Sequence, residues 1–336
     1  MATGLKEIAR SAGVSIKTVS NVVNGRPHVT PATRQRVMEA IAELGYRPNL
    51  SARNLRQGRT GFIGLALPQV HAPYFAELAR CIIRSAEQVG WKVLVEQTDG
   101  VPDRELRILQ GVGDYLSDGV IFSPLVIGPD EFRAASRQVP LVLLGERVSH
   151  GLADHVGIDN VAAARTAVEH LIGLGRRRIA ALGLQAFPGA DVARLRLEGY
   201  RAALTAAGIV EDADLLQGVA EYTREDGLAA MASLLELDDP PDAVFCFNDL
   251  LAVGALHLLY ERGVRVPDEI AVVGFDGVPE AGFTAPALTT VAPNMQQLAD
   301  RAVALLQRRI EQGDDAEWVD LRIDYDLVVR NSTVRA

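Results

Sequence analysis

Cysteine is almost absent from this 336-residue chain, and long apolar runs are missing as well. The two cysteines, Cys81 and Cys246, lie far apart among apolar residues, which favours reduced, packed thiols over a disulfide or a metal site. No apolar run is long enough to cross a bilayer, and the N-terminus MATGLKEIAR lacks the apolar stretch of a signal peptide. These absences argue against secreted disulfide-rich and membrane-spanning proteins and predict a cytoplasmic protein with no metal and no membrane partner.

Motifs of common enzymes are also missing. No G-x-S-x-G, Walker A or G-x-G-x-x-G motif follows a strand-like run, and no pair of histidines has the spacing of a metal site. The segment GVGDYLSDG contains G-x-G, but it has no preceding strand and no third glycine, so it is interpreted as a loop. We therefore expect neither an enzymatic activity nor a cofactor.

Charge is present in quantity but is unevenly distributed. Residues 1–60 contain ten Lys or Arg and three Glu, a balance of +7. Residues 61–336 contain 24 basic and 40 acidic residues, a balance of −16, and the two parts sum to the net charge of −9. A basic head on an acidic body indicates that the head binds a polyanion.

The head has the pattern of three short helices. Ser15 and Thr30 are placed to cap the second and third helices, and Gly13 and Gly45 to end the first and third. The residues expected to face inward are Leu5, Ile8, Ala9, Val19, Val22, Val23, Val37, Ile41 and Leu44. Three helices in about 45 residues, the middle one short and backed by valines, predict a helix-turn-helix DNA-binding unit.

The second helix presents its polar side outward if its valines are buried. Lys17 can then donate to guanine, Asn21 to adenine or a phosphate, and Ile16 can pack on a thymine methyl. The residues predicted to contact DNA in the head are Ser15, Ile16, Lys17, Thr18, Ser20, Asn21 and Asn24.

A basic linker follows the head at residues 48–59. It has the pattern of a helix too short to be stable alone, so it is expected to fold only on a partner. Arg53 and Arg56 suit phosphate contacts, and Leu55 suits a wedge inserted between base steps in the minor groove. The alternative is that Leu55 rests on the body of the protein.

Beyond residue 60, short apolar runs alternate with helical stretches. The runs are FIGLALP, KVLVEQ, GVIFSP, LVLLGE, HVGID, RIAALG, AVFCF and EIAVVGFD. This alternation predicts an α/β body of parallel sheets covered by helices, which bind ligands at the carboxyl ends of their strands. The polar residues that directly follow such runs are Ser123, Asp159, Asn160, Asn248, Asp249 and Asp276.

Two of these polar pairs stand directly before a helix, where one member of each pair is expected to be the helix cap. At the later pair we predict that Asn248 contacts a ligand and that Asp249 caps the helix. At the earlier pair, Asp159 and Asn160, the sequence leaves the assignment open.

The head, the linker and the body together resemble the LacI/GalR family of transcriptional regulators over almost the entire chain. The head and linker segments that carry the resemblance are LKEIARSAGVSIKTVSNVVNG and VTPATRQRVMEAIAELGYRPNLSARNLRQGRTGFIGL. The body segments are GIDNVAAARTAVEHLIGLGRRRIA, ARLRLEGYRAAL, CFNDLLAVGAL and VVGFDGVPEAGFTAPALTTV. The resemblance implies a dimer on a near-palindromic operator, with Ile16, Lys17 and Asn21 at base-reading positions and Leu55 at the intercalating position.

The resemblance also implies an effector site in a periplasmic-binding-protein-like body. Arg196 matches a family arginine that holds hydroxyl or carboxyl groups of the ligand, and Tyr222 matches a position where an aromatic ring stacks on it. Phe75 is a second candidate wall, although this chain has Ala-Pro-Tyr-Phe where many members have Asn-Pro-Phe-Phe. The predicted effector residues are Phe75, Ser123, Asp159, Arg196, Tyr222, Asn248 and Asp276.

The expected organisation is a helix-turn-helix headpiece at 1–47, a hinge at 48–59 and an effector-binding and dimerisation core at 60–336. The core is expected to form two subdomains, approximately 60–159 with 291–321 and 160–290 with 322–336. We predict a homodimeric repressor of sugar uptake or catabolism genes that a small sugar-like effector releases from double-stranded DNA. The alternatives are a nucleobase or nucleoside corepressor and, against the evidence of the head, a sugar-binding module without regulatory output.

Overall fold

The described part of the chain comprises residues 5–23, 29–45, 59–110, 117–135, 139–146, 151–187, 189–313 and 317–335 of a computed structural model. The chain divides into two units, Met1–Thr60 and Gly61–Ala336. This division lies one residue from the boundary expected between the linker and the body.

The described residues of the first unit form three helices: α1 (Leu5–Ser11), α2 (Ile16–Val23) and α3 (Pro31–Glu43). They meet in a small core in which Ile8, Val19 and Val37 are fully buried. The Thr30 hydroxyl accepts a hydrogen bond from the Thr33 amide at 3.3 Å, so the predicted cap of α3 is confirmed. The short helices are therefore held by capping and by a shared apolar face.

Leu44 differs from the expectation that it faces inward. It follows the last turn of α3 and is 36% exposed, because Gly45 takes a φ of +61° directly after it and turns the chain away. The helix therefore ends one residue before the predicted apolar pattern does.

The second unit contains two six-stranded sheets. Sheet 1 consists of β1 (Phe62–Leu67), β2 (Lys92–Gln97), β3 (Val120–Phe122), β4 (Leu141–Leu144), β5 (Asp154–Ile158) and β11 (Asp320–Ile323). Its strand order is β11-β5-β4-β3-β1-β2, and every described pair is parallel. Its helices are α4 (Pro73–Gln88), α5 (Pro102–Gln110), α6 (Pro129–Ala134) and α11 (Met295–Gln312).

Sheet 2 consists of β6 (Ile179–Leu184), β7 (Leu216–Gly218), β8 (Ala243–Cys246), β9 (Ala271–Phe275), β10 (Thr289–Pro293) and β12 (Tyr325–Val328). Its order is β12-β10-β9-β8-β6-β7, and β12 is antiparallel to β10. Its helices are α7 (Asn160–Gly173), α8 (Asp191–Ala206), α9 (Arg224–Leu235) and α10 (Asp249–Glu261). Short 3₁₀ turns occupy Ala213–Leu215 and Pro279–Gly282.

Both faces of the inner strands of sheet 1 are buried, which explains why these strands have continuous apolar runs. In β1, Ile63 and Leu65 lie in one core with residues of α4 and α11, whereas Ala66 lies in another with residues of α5 and α6. The α/β body with two parallel-dominated sheets confirms the predicted fold class.

The chain passes between the sheets three times, after β5, β10 and β11. The first passage lies at the expected residue 159. The second and third lie slightly later than expected, because β10 continues to Pro293 and β11 to Ile323.

Both cysteines are buried free thiols. Within the described ranges, no cluster of three or more His, Cys, Asp or Glu side chains has the geometry of a metal site. No helix in these ranges has the length and apolar character needed to cross a membrane.

Candidate functional site

The outward side of α2 gathers most of the residues predicted to contact DNA. Ile16 is 49% exposed and Lys17 is exposed, whereas Val19 and Val22 on the opposite side are buried. Ser15 precedes the helix, and its Oγ accepts a hydrogen bond from the Thr18 amide at 3.0 Å. The other two predicted contacts of this helix, Ser20 and Asn21, are half-buried.

Four of the residues predicted to contact DNA lie outside the described residues: Asn24, Arg53, Leu55 and Arg56. Their roles therefore stay predictions from the sequence.

A cavity of about 410 Å³ lies in the second unit. It is lined by residues from two halves of that unit, the half built on sheet 1 and the half built on sheet 2. Six of the seven predicted effector residues line it, most of them just after a strand or at the start of a helix, whereas Arg196 lies in the second turn of α8. They are Phe75, Ser123, Arg196, Tyr222, Asn248 and Asp276. The structure thus brings together residues that are up to 201 positions apart in the sequence.

Asp159 does not line this cavity, contrary to its predicted role. Its Oδ1 accepts a hydrogen bond from the Ala162 amide at 2.9 Å, which makes it the cap of α7. The next residue, Asn160, is buried and lines the cavity instead. As the capping residue, Asp159 directs its side chain to the amides of the first helical turn, and Asn160 is the member of the pair that contacts the cavity.

At the second polar pair, Asn248 and Asp249, the expected cap was Asp249, but the structure shows that Asn248 is the cap. Asn248 lines the cavity but is also the cap of α10, since its Oδ1 accepts a hydrogen bond from the Leu251 amide at 2.9 Å. Asp249, expected to be the cap, is fully buried, and its carboxylate accepts hydrogen bonds from the Thr290 hydroxyl at 2.6 Å and the Val278 amide at 2.8 Å.

Arg196 lies at the centre of the polar part of the cavity and is 7% exposed. Its Nε donates to Asn160 Oδ1 at 2.9 Å, and one Nη donates to the Phe247 carbonyl. The other Nη lies 3.5 Å from Asp276 Oδ1, and the guanidinium carbon lies 3.5 Å from the centre of the Phe275 ring. These contacts fix the plane of the guanidinium before any ligand arrives.

Two buried carboxyl groups have raised pKa values: Asp276, which lies beside Arg196, and Asp249. Burial raises the pKa of Asp276 to about 6, and the nearby positive charge of Arg196 opposes that rise. Burial, together with the negative charge of Asp276, raises the pKa of Asp249 to about 8, against the hydrogen bond from Thr290. Asp276 takes a φ of +115°, which is unusual for a residue with a side chain.

Aromatic rings form the apolar part of the cavity wall. Tyr74 and Phe75 at the start of α4 pack edge to face with their ring centres 5.1 Å apart. Tyr222 is held from the other half, since its hydroxyl donates to the Gly183 carbonyl at 3.0 Å. Such rings pack on the apolar faces of sugar rings and on planar bases.

Three further residues, none of them predicted as site residues from the sequence, shape the cavity. Glu146 and Tyr74 line it directly. Glu105 is fully buried, and its carboxylate accepts hydrogen bonds from the amides of residues 125, 126 and 127, so it holds a loop of which Leu125 lines the cavity. Glu146 carried the same signal as the predicted residues, since it stands at the end of the run LVLLGE.

Comparison with known proteins relates both units to characterised families. The bacterial regulatory proteins of the lacI family match residues 4–49, and a periplasmic binding protein-like domain matches residues 168–333. The catabolite control protein A of Priestia megaterium is 34% identical to this chain over 97% of it and 98% of that protein.

The chain belongs to the lacI family of bacterial regulatory proteins. A solved complex of the transcriptional regulator CelR with cellobiose is 32% identical, covers 98% of this chain and 99% of that one, and has a TM-score of 0.73. The lac repressor dimer bound to operator and the anti-inducer ONPF is 28% identical, covers 99% and 100%, and has a TM-score of 0.84. As a lacI-family member, this protein is a DNA-binding transcriptional repressor and not an enzyme.

Proposed function

We propose that this lacI-family protein represses genes of sugar uptake or catabolism, binds a palindromic operator as a dimer and is released by a small sugar-like effector. One observation carries the effector part of this proposal: Arg196 and Asp276 form a fixed polar pair in a cavity with aromatic walls. A protein that binds chromosomal DNA acts in the cytoplasm, where we place it.

We propose that DNA is contacted by the exposed residues of α2 and by residues of the hinge at 48–59. Ile16 and Lys17 are available to base edges because the valines of α2 are buried. Arg53 and Arg56 are proposed to contact phosphates, and Leu55 to insert into the minor groove and kink the operator.

Replacing Lys17 by Ala tests the reading of bases by α2. We expect the variant to lose preference at one base pair of each half-site, by roughly 1–3 kcal/mol, because the donor to guanine is removed. The measurement is the affinity for a selected operator and for all single-base variants of it, at fixed salt.

The matched control is Lys6→Ala, which removes the same charge from the exposed surface of α1. It is expected to leave the order of preference among operators unchanged. An equal loss for all sequences in Lys17→Ala would show a phosphate contact and contradict the base-reading role.

The effector is proposed to be a polyhydroxylated ring. The amide and carboxylate oxygens of Asn160, Asn248 and Asp276 can accept hydrogen bonds from hydroxyls, and Arg196 can donate to them. Tyr222 and Phe75 provide surfaces on which the apolar face of a sugar can stack. The similar regulator CelR is solved with a sugar, cellobiose.

The dimer is proposed from exposed apolar residues on the second unit. β2 is the last strand of sheet 1, and its Leu94 and Val95 are 40% and 44% exposed. Phe283 is 90% exposed beside the 3₁₀ turn that follows β9. Apolar side chains on a free sheet edge favour pairing with a second chain, and the similar lac repressor is solved as a dimer on its operator.

Release requires the effector to prefer one of two arrangements of the dimer. A ligand shifts such an equilibrium only by the difference in its affinity for the two states. We propose that the ring binds more tightly when the subdomains are arranged so that the two hinges are apart, and that this arrangement lowers the affinity for DNA.

A further inference from the structure

We infer that the cavity selects an uncharged polyhydroxylated ring and rejects its phosphorylated or carboxylated forms, and that Glu146 sets this preference. The inference rests on the proposed function only in that it takes the cavity to be the effector site. It is carried by the charges that line the cavity and by the way they are paired.

The described wall of the cavity is strongly acidic. Five carboxylates line it against a single guanidinium, that of Arg196. The carboxylates are Asp99, Glu146, Asp191, Glu221 and Asp276. Asp99 pairs with Arg104, and Asp191 lies 3.7 Å from Arg194, but neither arginine lines the cavity, so an anionic ligand meets the carboxylates rather than these cations.

The guanidinium already makes three polar contacts, although some of its five N–H groups remain for ligand hydroxyls. Asp276 lies 3.5 Å from one Nη of Arg196, Asn160 accepts from Nε, and the Phe247 carbonyl accepts from the other Nη. A phosphate would have to displace Asp276 to form the bidentate pair that arginine makes with anions, and so leave a buried carboxylate without its partner.

Glu146 places a fixed carboxylate on the opposite half of the cavity. Its side chain is only 6% exposed. Its Oε1 accepts from Asn160 Nδ2 at 3.2 Å, and its Oε2 lies 3.0 Å from an Nη of Arg322. Arg322 is not among the cavity-lining residues, so a ligand meets the carboxylate of this pair rather than its cation.

The close packing around Glu146 keeps it in this place. A Cβ atom at Gly157 would lie 2.8 Å from Glu146 Oε1 and 3.1 Å from an Nη of Arg322, so a larger residue there would displace the ends of these two side chains. Four helices begin at the cavity, and two of them, α7 and α10, have side-chain caps, Asp159 and Asn248. In these two helices a side-chain oxygen already occupies an amide of the kind that commonly binds phosphate, whereas the starts of α4 and α8 have no side-chain cap.

The test compares matched probes on the full-length protein. Glucose, galactose, ribose, cellobiose and adenosine are each measured beside a phosphate ester of the same compound, by thermal unfolding and then by calorimetry. We expect at least one uncharged sugar to bind, and its phosphate to bind at least about tenfold more weakly.

The outcomes separate this inference from the proposed function. A phosphate that binds as tightly as its parent overturns the inference. Binding of adenosine and of no sugar supports the charge selection but contradicts the proposed sugar effector. If no probe binds, the inference is overturned, and retained operator binding by the same preparation shows that the DNA-binding function stands.

Glu146→Gln tests the residue itself. The amide keeps an oxygen acceptor for Asn160 but removes the charge, and it leaves Arg322 with only the carboxylate of Asp320, 4.0 Å away, so the affinity ratio between sugar and sugar phosphate should narrow about tenfold or more. The control Glu169→Gln removes an exposed carboxylate of α7 that pairs with Arg165 at 2.7 Å, and should leave the ratio unchanged. An unchanged ratio in folded Glu146→Gln overturns the role of Glu146, and the comparison on the unaltered protein does not depend on the variant's folding.

Discussion

Buried polar side chains near the cavity act as a connected set. Asn160 accepts from Arg196 with its oxygen and donates to Glu146 with its nitrogen, so one amide joins a residue of each half. Both its polar atoms are used, and an aspartate at this position could not make the second hydrogen bond. The set positions Arg196 and Glu146 relative to one another.

The pKa of Asp249 leads to a prediction about pH and stability. Because its folded-state pKa is raised to about 8, the folded protein holds a proton between pH 4 and 8 that the unfolded chain releases. The stabilisation by this proton is complete below about pH 4 and is lost as the pH rises through 8. Asp249→Asn keeps an oxygen acceptor for the Val278 amide and removes the titration.

We therefore expect the free energy of unfolding to fall with pH less steeply in Asp249→Asn, by about 1 kcal/mol per pH unit between pH 5 and 7. Urea unfolding at several pH values measures this slope. Asp226→Asn, which removes a carboxylate in the first turn of α9, is measured in the same way for comparison. Equal slopes for Asp249→Asn and the unaltered protein would contradict the buried proton.

The sequence predicted which polar residues meet at the carboxyl ends of the strands, but it did not predict which of them line the cavity and which cap helices. Polar residues after apolar runs were predicted to meet, and Ser123, Asn248 and Asp276 do line one cavity. Where two polar residues adjoin at a helix start, either can cap, and backbone geometry that the sequence does not contain decides between them. The sequence therefore left Asp159 and Asn160 undecided, and in the structure Asp159 is the cap of α7 while Asn160 lines the cavity.

Among the helices, close contact between α9 and α10 depends on glycine. A Cβ atom at Gly254 would lie 1.9 Å from the Arg224 carbonyl, and one at Gly227 would lie 2.2 Å from the Leu251 carbonyl. The two backbones thus approach more closely than any larger residue permits. α10 also carries Asn248 as its cap and Asp249 as its first residue, so this contact positions part of the cavity.

Replacing Gly254 by Ala should separate these helices. We expect a loss of about 1–3 kcal/mol in the free energy of unfolding, because the added methyl group meets rigid backbone. Gly173→Ala, in α7 with open space around its Cβ position, should be neutral or slightly stabilising. Chemical unfolding of both variants measures the difference, and equal stabilities would contradict the close approach.

Four strands escaped the apolar-run pattern for reasons visible in their residues. β7 has three residues, and β11 and β12 carry charged residues on partly exposed strands. β10, with the sequence TTVAP, is largely buried but begins with two threonines and ends with a proline. Long-range pairing rather than local hydrophobicity makes these segments strands.

The whole molecule combines a basic head with an acidic body. The head's charge favours DNA, whereas the body's charge disfavours contact with it away from the hinge. An effector bound in the body can change the affinity for DNA only if the protein has two arrangements and both the effector and DNA bind one of them more tightly than the other.

The most direct test measures the affinity of the full-length protein for its operator without and with a saturating amount of the uncharged sugar that stabilises it most. We predict that the sugar weakens operator binding by at least about tenfold, within the usual range of coupling between sites. Arg196→Ala should remove both the stabilisation and the weakening. A sugar that binds the cavity and leaves operator affinity unchanged, or increases it, would contradict the coupling.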